Sequence, residues 1–223
     1  MQKTRFDGIY YIEKGKNKLL CTENLTPEKR FFEEDLIRDK GNEYRVWDPR
    51  RSKLAAGIKK GLSQIGLKPG FFVLYLGASH GYTPSFVSDI VGKEGFVFAL
   101  DFAPRVVRDL VFLCEKRKNI APILADANQP EKYMHQITEV DFIYQDIAQK
   151  NQSQIFLRNC ELFLKKDAFA ILCVKARSVD VTKKPSVIYQ QVRRELEKVI
   201  TIVDYKILDP FEKDHCIFVC KKK

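Results

Sequence analysis

Residues 71–85, FFVLYLGASHGYTPS, pass from an apolar run through a glycine turn into a helix-forming segment. The near-continuous apolar stretch to Leu76 has the pattern of a central parallel strand covered on both faces. Gly77 and Gly81 frame the turn. Glycine there lets the backbone approach a ligand, and the N-terminus of the following helix offers free N–H groups. The spacing Gly77-x-x-x-Gly81 is not Gly-x-Gly-x-x-Gly, which argues against a dinucleotide-dependent oxidoreductase.

Outward from the turn the strand signature repeats at 95–101 (GFVFALD), 120–126 (IAPILAD), 140–146 (VDFIYQD) and 168–176 (AFAILCVKA). Helical patterns lie between them at 84–91, 104–117, 130–137 and 152–164, and a further one at 186–200. Alternation of this kind predicts an α/β domain with a doubly wound parallel sheet. The runs TIVDYKILDP (201–210) and DHCIFVCK (214–221) are separated only by FEK. That is too short for a parallel crossover, so they are expected to pair antiparallel.

The first forty or so residues read differently. FDGIYYIEKGKNKLLCTENL (6–25) alternates β-type runs about a Gly15-Lys16-Asn17 turn, which suggests hairpins. We expect a small β-rich subdomain over 1–43 and the main domain over 44–223, with 37–49 as a linker. Leu54, Ile58, Leu62 and Ile65 then recur at helical spacing, up to a stop at Pro69-Gly70.

Three acids close strands: Asp101, Asp126 and Asp146. In a doubly wound sheet those ends face the ligand crevice. Asp101 is placed to hold ribose hydroxyls, Asp126 with Ala127 to reach an adenine, and Asp146 to face the reacting end of a nucleoside-like cofactor. Each acid alone is about as readily explained as a helix cap.

The chain has 223 residues, 39 Lys+Arg against 29 Asp+Glu, and a net charge of +10. That excess favours a polyanionic partner over a merely soluble basic protein. No apolar run approaches the length of a membrane span, and MQKTRFDGIY has no signal-peptide core, so a cytoplasmic protein is expected. Six cysteines without a Cys-x-x-Cys pair read as buried thiols, and three histidines without ligand spacing argue against a metal site.

The segments YRVWDPRRSKLAAGI (44–58), VLYLGASHGYTPSFVSDIVG (73–92), DFAPRVVRDLV (101–111), ILADANQPEKY (123–133), DFIYQDIAQKNQ (141–152), VKARSVDVTK (174–183) and DPFEKDH (209–215) occur in one order along the chain. By them the chain resembles the fibrillarin family in its short archaeal type. The resemblance implies a class I methyltransferase fold, Rossmann-like, with a seven-stranded mostly parallel sheet whose last strand is antiparallel. It implies S-adenosyl-L-methionine as cofactor and 2′-O-methylation of ribose in rRNA or tRNA, directed by a box C/D guide RNA. The implied partners are a Nop-type scaffold protein and a kink-turn-binding, ribosomal-protein-like subunit. Cofactor contacts carry over to the turn (Gly77, Ala78, Ser79, Gly81, Tyr82, Thr83), to Asp101 and Phe102, to Asp126 and Ala127, and to Asp146, Ile147, Ala148 and Gln149. The catalytic group carries over to Lys53, Asp146, Lys175 and His215.

The family usually has a small residue at the His80 position, Thr at Tyr82 and Glu at Asp101. Asp101 keeps the charge on a shorter arm; Tyr82 either narrows the pocket or turns its phenol outward; His80 is expected on the surface. In the implied chemistry Asp146 orients Lys175, which acts as a cation beside the developing alkoxide or, if burial lowers its pKa, as a base. Lys53 and His215 complete the network. The basic clusters Arg50, Arg51 and Lys53, then Arg105 and Arg108, then Lys175, Arg177, Lys183 and Lys184 suggest an RNA-facing surface. The competing reading is a catalytically impaired scaffold subunit that retains the fold but has lost activity through its altered cofactor turn.

Overall fold

The computed structural model describes residues 1–15 and 17–223. Its N-terminal part is a five-stranded antiparallel sheet in the order β1-β2-β3-β5-β4. The strands are β1 (Gln2–Lys3), β2 (Ile9–Lys14), β3 (Asn17–Glu23), β4 (Leu36–Asp39) and β5 (Asn42–Val46). β2 and β3 pair antiparallel as expected, from Ile9 opposite Thr22 onward, although Lys16 of the expected turn lies outside the described residues.

The segment expected as a linker is instead the hairpin β4–β5, and the expected boundary at 43 falls inside β5. The physical reason is Arg45. In sequence it reads as a solvated charge, yet in the fold it is fully buried between Glu34 and Asp89.

The helix α1 (Lys53–Lys59) begins at Ser52, whose hydroxyl accepts from the Ala55 amide. It ends well before Ile65. Gly61, at φ +80°, donates to the Ile58 carbonyl, and Leu62 donates to the Gly57 carbonyl. This is a Schellman stop, which glycine at a positive φ permits. Leu62 and Ile65 are buried all the same, as part of an irregular chain over the core.

The main sheet is built from β6 (Phe72–Leu76), β7 (Phe96–Asp101), β8 (Ile120–Leu124), β9 (Val140–Gln145), β10 (Leu164–Lys175), β11 (Thr201–Ile207) and β12 (His215–Lys221). Its order is β11-β12-β10-β9-β6-β7-β8. β6 to β10 run parallel, and β12 slots antiparallel between β10 and β11. The helices α2 (Tyr82–Val91), α3 (Pro104–Lys116), α4 (Gln152–Phe163), α5 (Ala176–Val179) and α6 (Pro185–Glu197) connect the strands. The short helical pattern near 130–137 forms two 3-10 turns, Pro130–Lys132 and Met134–Gln136.

Strand residues alternate between two cores, as a pleat requires. Val73, Tyr75, Ala99, Tyr144 and Cys173 face one side with α1, α2, α3 and the N-terminal sheet. Leu74, Leu76, Leu100, Ile143 and Val174 face the other with α4 and α6. Trp47, just past β5, stacks on Phe86 of α2 at 5.0 Å and so joins the two parts. Truncating either ring to alanine is expected to cost about 3–5 kcal/mol.

Candidate active site

Because β6 to β10 are parallel, their C-terminal ends share one edge, and β12, being reversed, brings its first residue there. That edge collects the Gly77 turn, Asp101, Asp126, Asp146, Lys175 and His215. Lys175 and His215 are direct register partners across β10 and β12.

The turn is locked to its neighbours by backbone. Gly77 and Ala78 both donate to the Leu100 carbonyl at 2.9 Å, and Asp146 donates to the Leu76 carbonyl at 2.9 Å. A Cβ on Gly77 would stand 2.2 Å from the Asp146 carbonyl oxygen, so no side chain fits at that junction. Asp101 accepts from the Ser79 amide (2.8 Å) and from the Ala103 amide (3.1 Å). It therefore steadies both the turn and the residues leading into α3, and two carboxylate oxygens keep further lone pairs for a ligand. Phe102 beside it is 66% exposed, an unburied aromatic at the rim. Asp126 accepts from the Asn128 amide, and the Ala127 carbonyl is held by Asn159. The 146–149 loop is tied down by Gln152, whose amide donates to the Gln149 carbonyl.

Lys53, at the first turn of α1, places its Nζ 2.8 Å from Asp146 Oδ2. Burial opposes the lysine charge, but the adjoining Asp146 carboxylate, with Cys173 and Glu212 adding to it, holds the Lys53 pKa above its ordinary value. Lys53 is thus a fixed cation. His215 is 8% exposed, and burial lowers its pKa, with the Lys53 charge acting in the same direction. Its Nδ1 lies 2.6 Å from the Lys213 carbonyl. A carbonyl only accepts, so Nδ1 carries the proton and neutral His215 presents Nε2 as an acceptor.

Lys175 is different from its expected state. Asp146 pairs with Lys53, whereas the Lys175 side chain is exposed and makes no hydrogen bond or ion pair among the described residues. The carboxylate thus orients the helix lysine, and the burial that a basic role for Lys175 would need is absent.

A cleft of about 680 Å³ opens at the turn. Lys53, Gly77, Ala78, Ser79, Tyr82, Thr83 and Asp146 line it. Gly81, Asp101, Phe102, Asp126, Ala127, Ile147, Ala148, Gln149, Lys175 and His215 lie outside that lining, on loops and strand ends of the same edge. His80 is exposed, 3.5 Å from Asp109. Tyr82 sends its phenol outward to accept from the Asp48 amide at 3.2 Å.

Sequence reasoning missed the layer beneath. Thr83 donates to the Ser52 hydroxyl at 3.0 Å, Tyr75 stacks on Tyr144 at 4.6 Å, and the Tyr144 hydroxyl meets Cys173 Sγ at 3.0 Å. Burial raises both tyrosine pKa values and that of Cys173. Only Ser52 left a sequence signal, as a serine preceding a helical run. Glu212, close enough to act on the charges of Lys53 and His215, left none.

A family model described as Fibrillarin matches residues 1–223. A protein of Thermococcus onnurineus named fibrillarin-like rRNA/tRNA 2′-O-methyltransferase is 46% identical over 223 residues, 100% of this chain and 99% of that protein. Aeropyrum pernix fibrillarin, solved with natively bound S-adenosyl-L-methionine, superposes with a TM-score of 0.91 at 41% identity over 98% of this chain and 96% of that one. Fibrillarin in a complex with Nop5p superposes at 0.90 with 38% identity, over 99% and 100%. Among the described residues no helix is long and apolar enough to cross a membrane, and no His/Cys/Asp/Glu group is arranged to hold a metal. With the model matched over its whole length, the chain belongs to the fibrillarin family.

Proposed function

We propose that this protein transfers a methyl group from S-adenosyl-L-methionine to ribose 2′-hydroxyls of rRNA and tRNA. The observation that carries the reading is the joining of the glycine turn to the Lys53–Asp146 pair by backbone contact at Gly77. One rigid junction then serves both the cofactor and the reacting oxygen. Full-length similarity to proteins named for that activity supports it.

The residues present fit the cofactor. Phe102 offers an exposed aromatic face for an adenine, Asp101 retains lone pairs for ribose hydroxyls, and Thr83 with the free amides of the α2 N-terminus stands at the turn. Asp126, Ala127 and Ile147 to Gln149 complete the proposed contacts. The bound cofactor supplies an electrophilic methyl on a sulfonium, with a neutral thioether as leaving group.

The chain's own residues then have separable tasks. Lys53, kept charged by Asp146, faces developing negative charge on the 2′-oxygen. Lys175 adds a second cation at the rim. Neutral His215 offers Nε2 to the hydroxyl proton. Much of the acceleration comes from holding the oxygen in line behind the methyl group. No metal enters the proposed scheme.

The remaining partners belong to the same proposal: a box C/D guide RNA that selects the target, a Nop-type scaffold, a kink-turn-binding subunit, and a cytoplasmic setting. A complex of fibrillarin with Nop5p supports the scaffold. The test is guide-directed methylation by the assembled particle, alongside calorimetric titration of the isolated protein with S-adenosyl-L-methionine. Methyl transfer to the guided ribose is expected. Binding without transfer would favour an impaired scaffold subunit, and no binding would remove the enzymatic reading.

A further inference from the structure

Two loops that are distant in sequence from α2 meet on the ring of Tyr82, the first residue of α2. Phe32, from the loop before β4, packs edge-on at 5.4 Å. The Arg51 guanidinium, from the loop before α1, lies 4.3 Å from the ring centroid and donates to the Phe32 carbonyl at 2.9 Å. Phe86, one turn along α2, closes the other side at 5.2 Å. The hydroxyl accepts from the Asp48 amide, and Glu34 holds the Phe32 amide from behind at 2.7 Å. Phe31, Phe32 and Arg51 line the same cleft as Gly77, Thr83 and Lys53.

We propose that Tyr82 is a positioning residue, whose ring pins the Phe31–Phe32 loop of the N-terminal sheet as a fixed wall of the cofactor cleft. Its side chain acts through that loop and not by touching the cofactor. The N-terminal sheet thereby sets cofactor affinity: a wall already in place spares the ordering that binding would otherwise require. The inference rests on S-adenosyl-L-methionine as the ligand of this cleft.

The test titrates full-length protein with S-adenosyl-L-methionine in a calorimeter, for wild type, Tyr82→Phe, Tyr82→Thr, Phe32→Ala and the Tyr82→Thr/Phe32→Ala pair. Tyr82→Phe keeps the ring and is expected within about twofold of wild type. Tyr82→Thr and Phe32→Ala should each raise Kd about tenfold, and the pair no further than the worse single change. In the assembled particle the loss should fall on KM for the cofactor, with kcat moved far less. Faster tryptic cleavage after Arg30 in Tyr82→Thr would report the freed loop. An unchanged Kd in Tyr82→Thr, or losses that simply add, would overturn the clamp while leaving the cofactor assignment intact. Absence of binding by the wild type would overturn both.

Discussion

Lys53 and Asp146 form an ion pair at 2.8 Å across 93 positions of sequence, joining the first turn of α1 to the end of β9. Such a pair acts as a unit. Asp146→Asn is expected to lower guide-directed methyl transfer about 10²–10³-fold, a loss typical of removing one fixed electrostatic group. Lys53→Met should act similarly, and the double variant should lose little more than the worse single one. Single-turnover methylation measures this; multiplicative losses would show that the two work independently.

Lys175 is exposed and lacks a partner carboxylate among the described residues, which favours a cationic task over proton transfer. Lys175→Arg keeps a cation and is expected to retain at least a tenth of the activity. Lys175→Ala should lose about 10²-fold or more. Equal losses in both would point to a role in which the ammonium itself is essential.

Burial lowers the His215 pKa below its ordinary value of about 6.5. With the folded pKa below the unfolded one, its stabilising contribution is present above about 6.5 and is lost as pH falls through the folded pKa. Between those two pH values the unfolding free energy of wild type should rise with pH, and His215→Gln should flatten that slope. The kcat/KM profile should lose an acidic limb in the same variant. A limb that survives the substitution would assign it to another group.

The sheet was legible because its strands other than β11 carry their own apolar runs, and the antiparallel end because FEK is too short to cross over. The strand-end acids were legible for the same reason. The gathering of Lys53 with Asp146 was not, since spacing says nothing about contacts across 93 residues; the family resemblance alone supplied it. The β4–β5 hairpin was hidden by its charges. Arg45 and Glu43 look solvated in sequence, and only the buried acids and amides that meet them explain why they are inside. Ser52 and Tyr75 were overlooked because one reads as a cap and the other as core, which each also is.

Asp89 of α2 stands between two buried guanidiniums, Arg45 at 2.8 Å and Arg117 at 2.7 Å. Asp89→Ala leaves both with less compensation and is expected to destabilise the protein by about 3–5 kcal/mol in urea unfolding. A value under about 1 kcal/mol for Asp89→Ala would place the cluster with weak surface pairs.

Glu34 is buried, which by itself would raise its pKa, but the Arg45 charge and the Phe32 amide hold it below its ordinary value of about 4.5. Its stabilising contribution is therefore present above about 4.5 and is lost as pH falls through the folded pKa. Glu34→Gln should blunt acid unfolding over that range, read as a shallower dependence of Tm on pH. An unaltered acid limb would assign it to other carboxylates.

The Gly77 turn has an inner and an outer side, and the two are free to change to very different degrees. Inward, position 77 touches the Asp146 backbone, so any added atom would push apart the methyl donor's cradle and the lysine's anchor together. Outward, His80 faces solvent and Tyr82 faces the N-terminal sheet. Under the proposed clamp, substitution would retune that side, altering how firmly the chain grips its cofactor while the inner junction stays as it is.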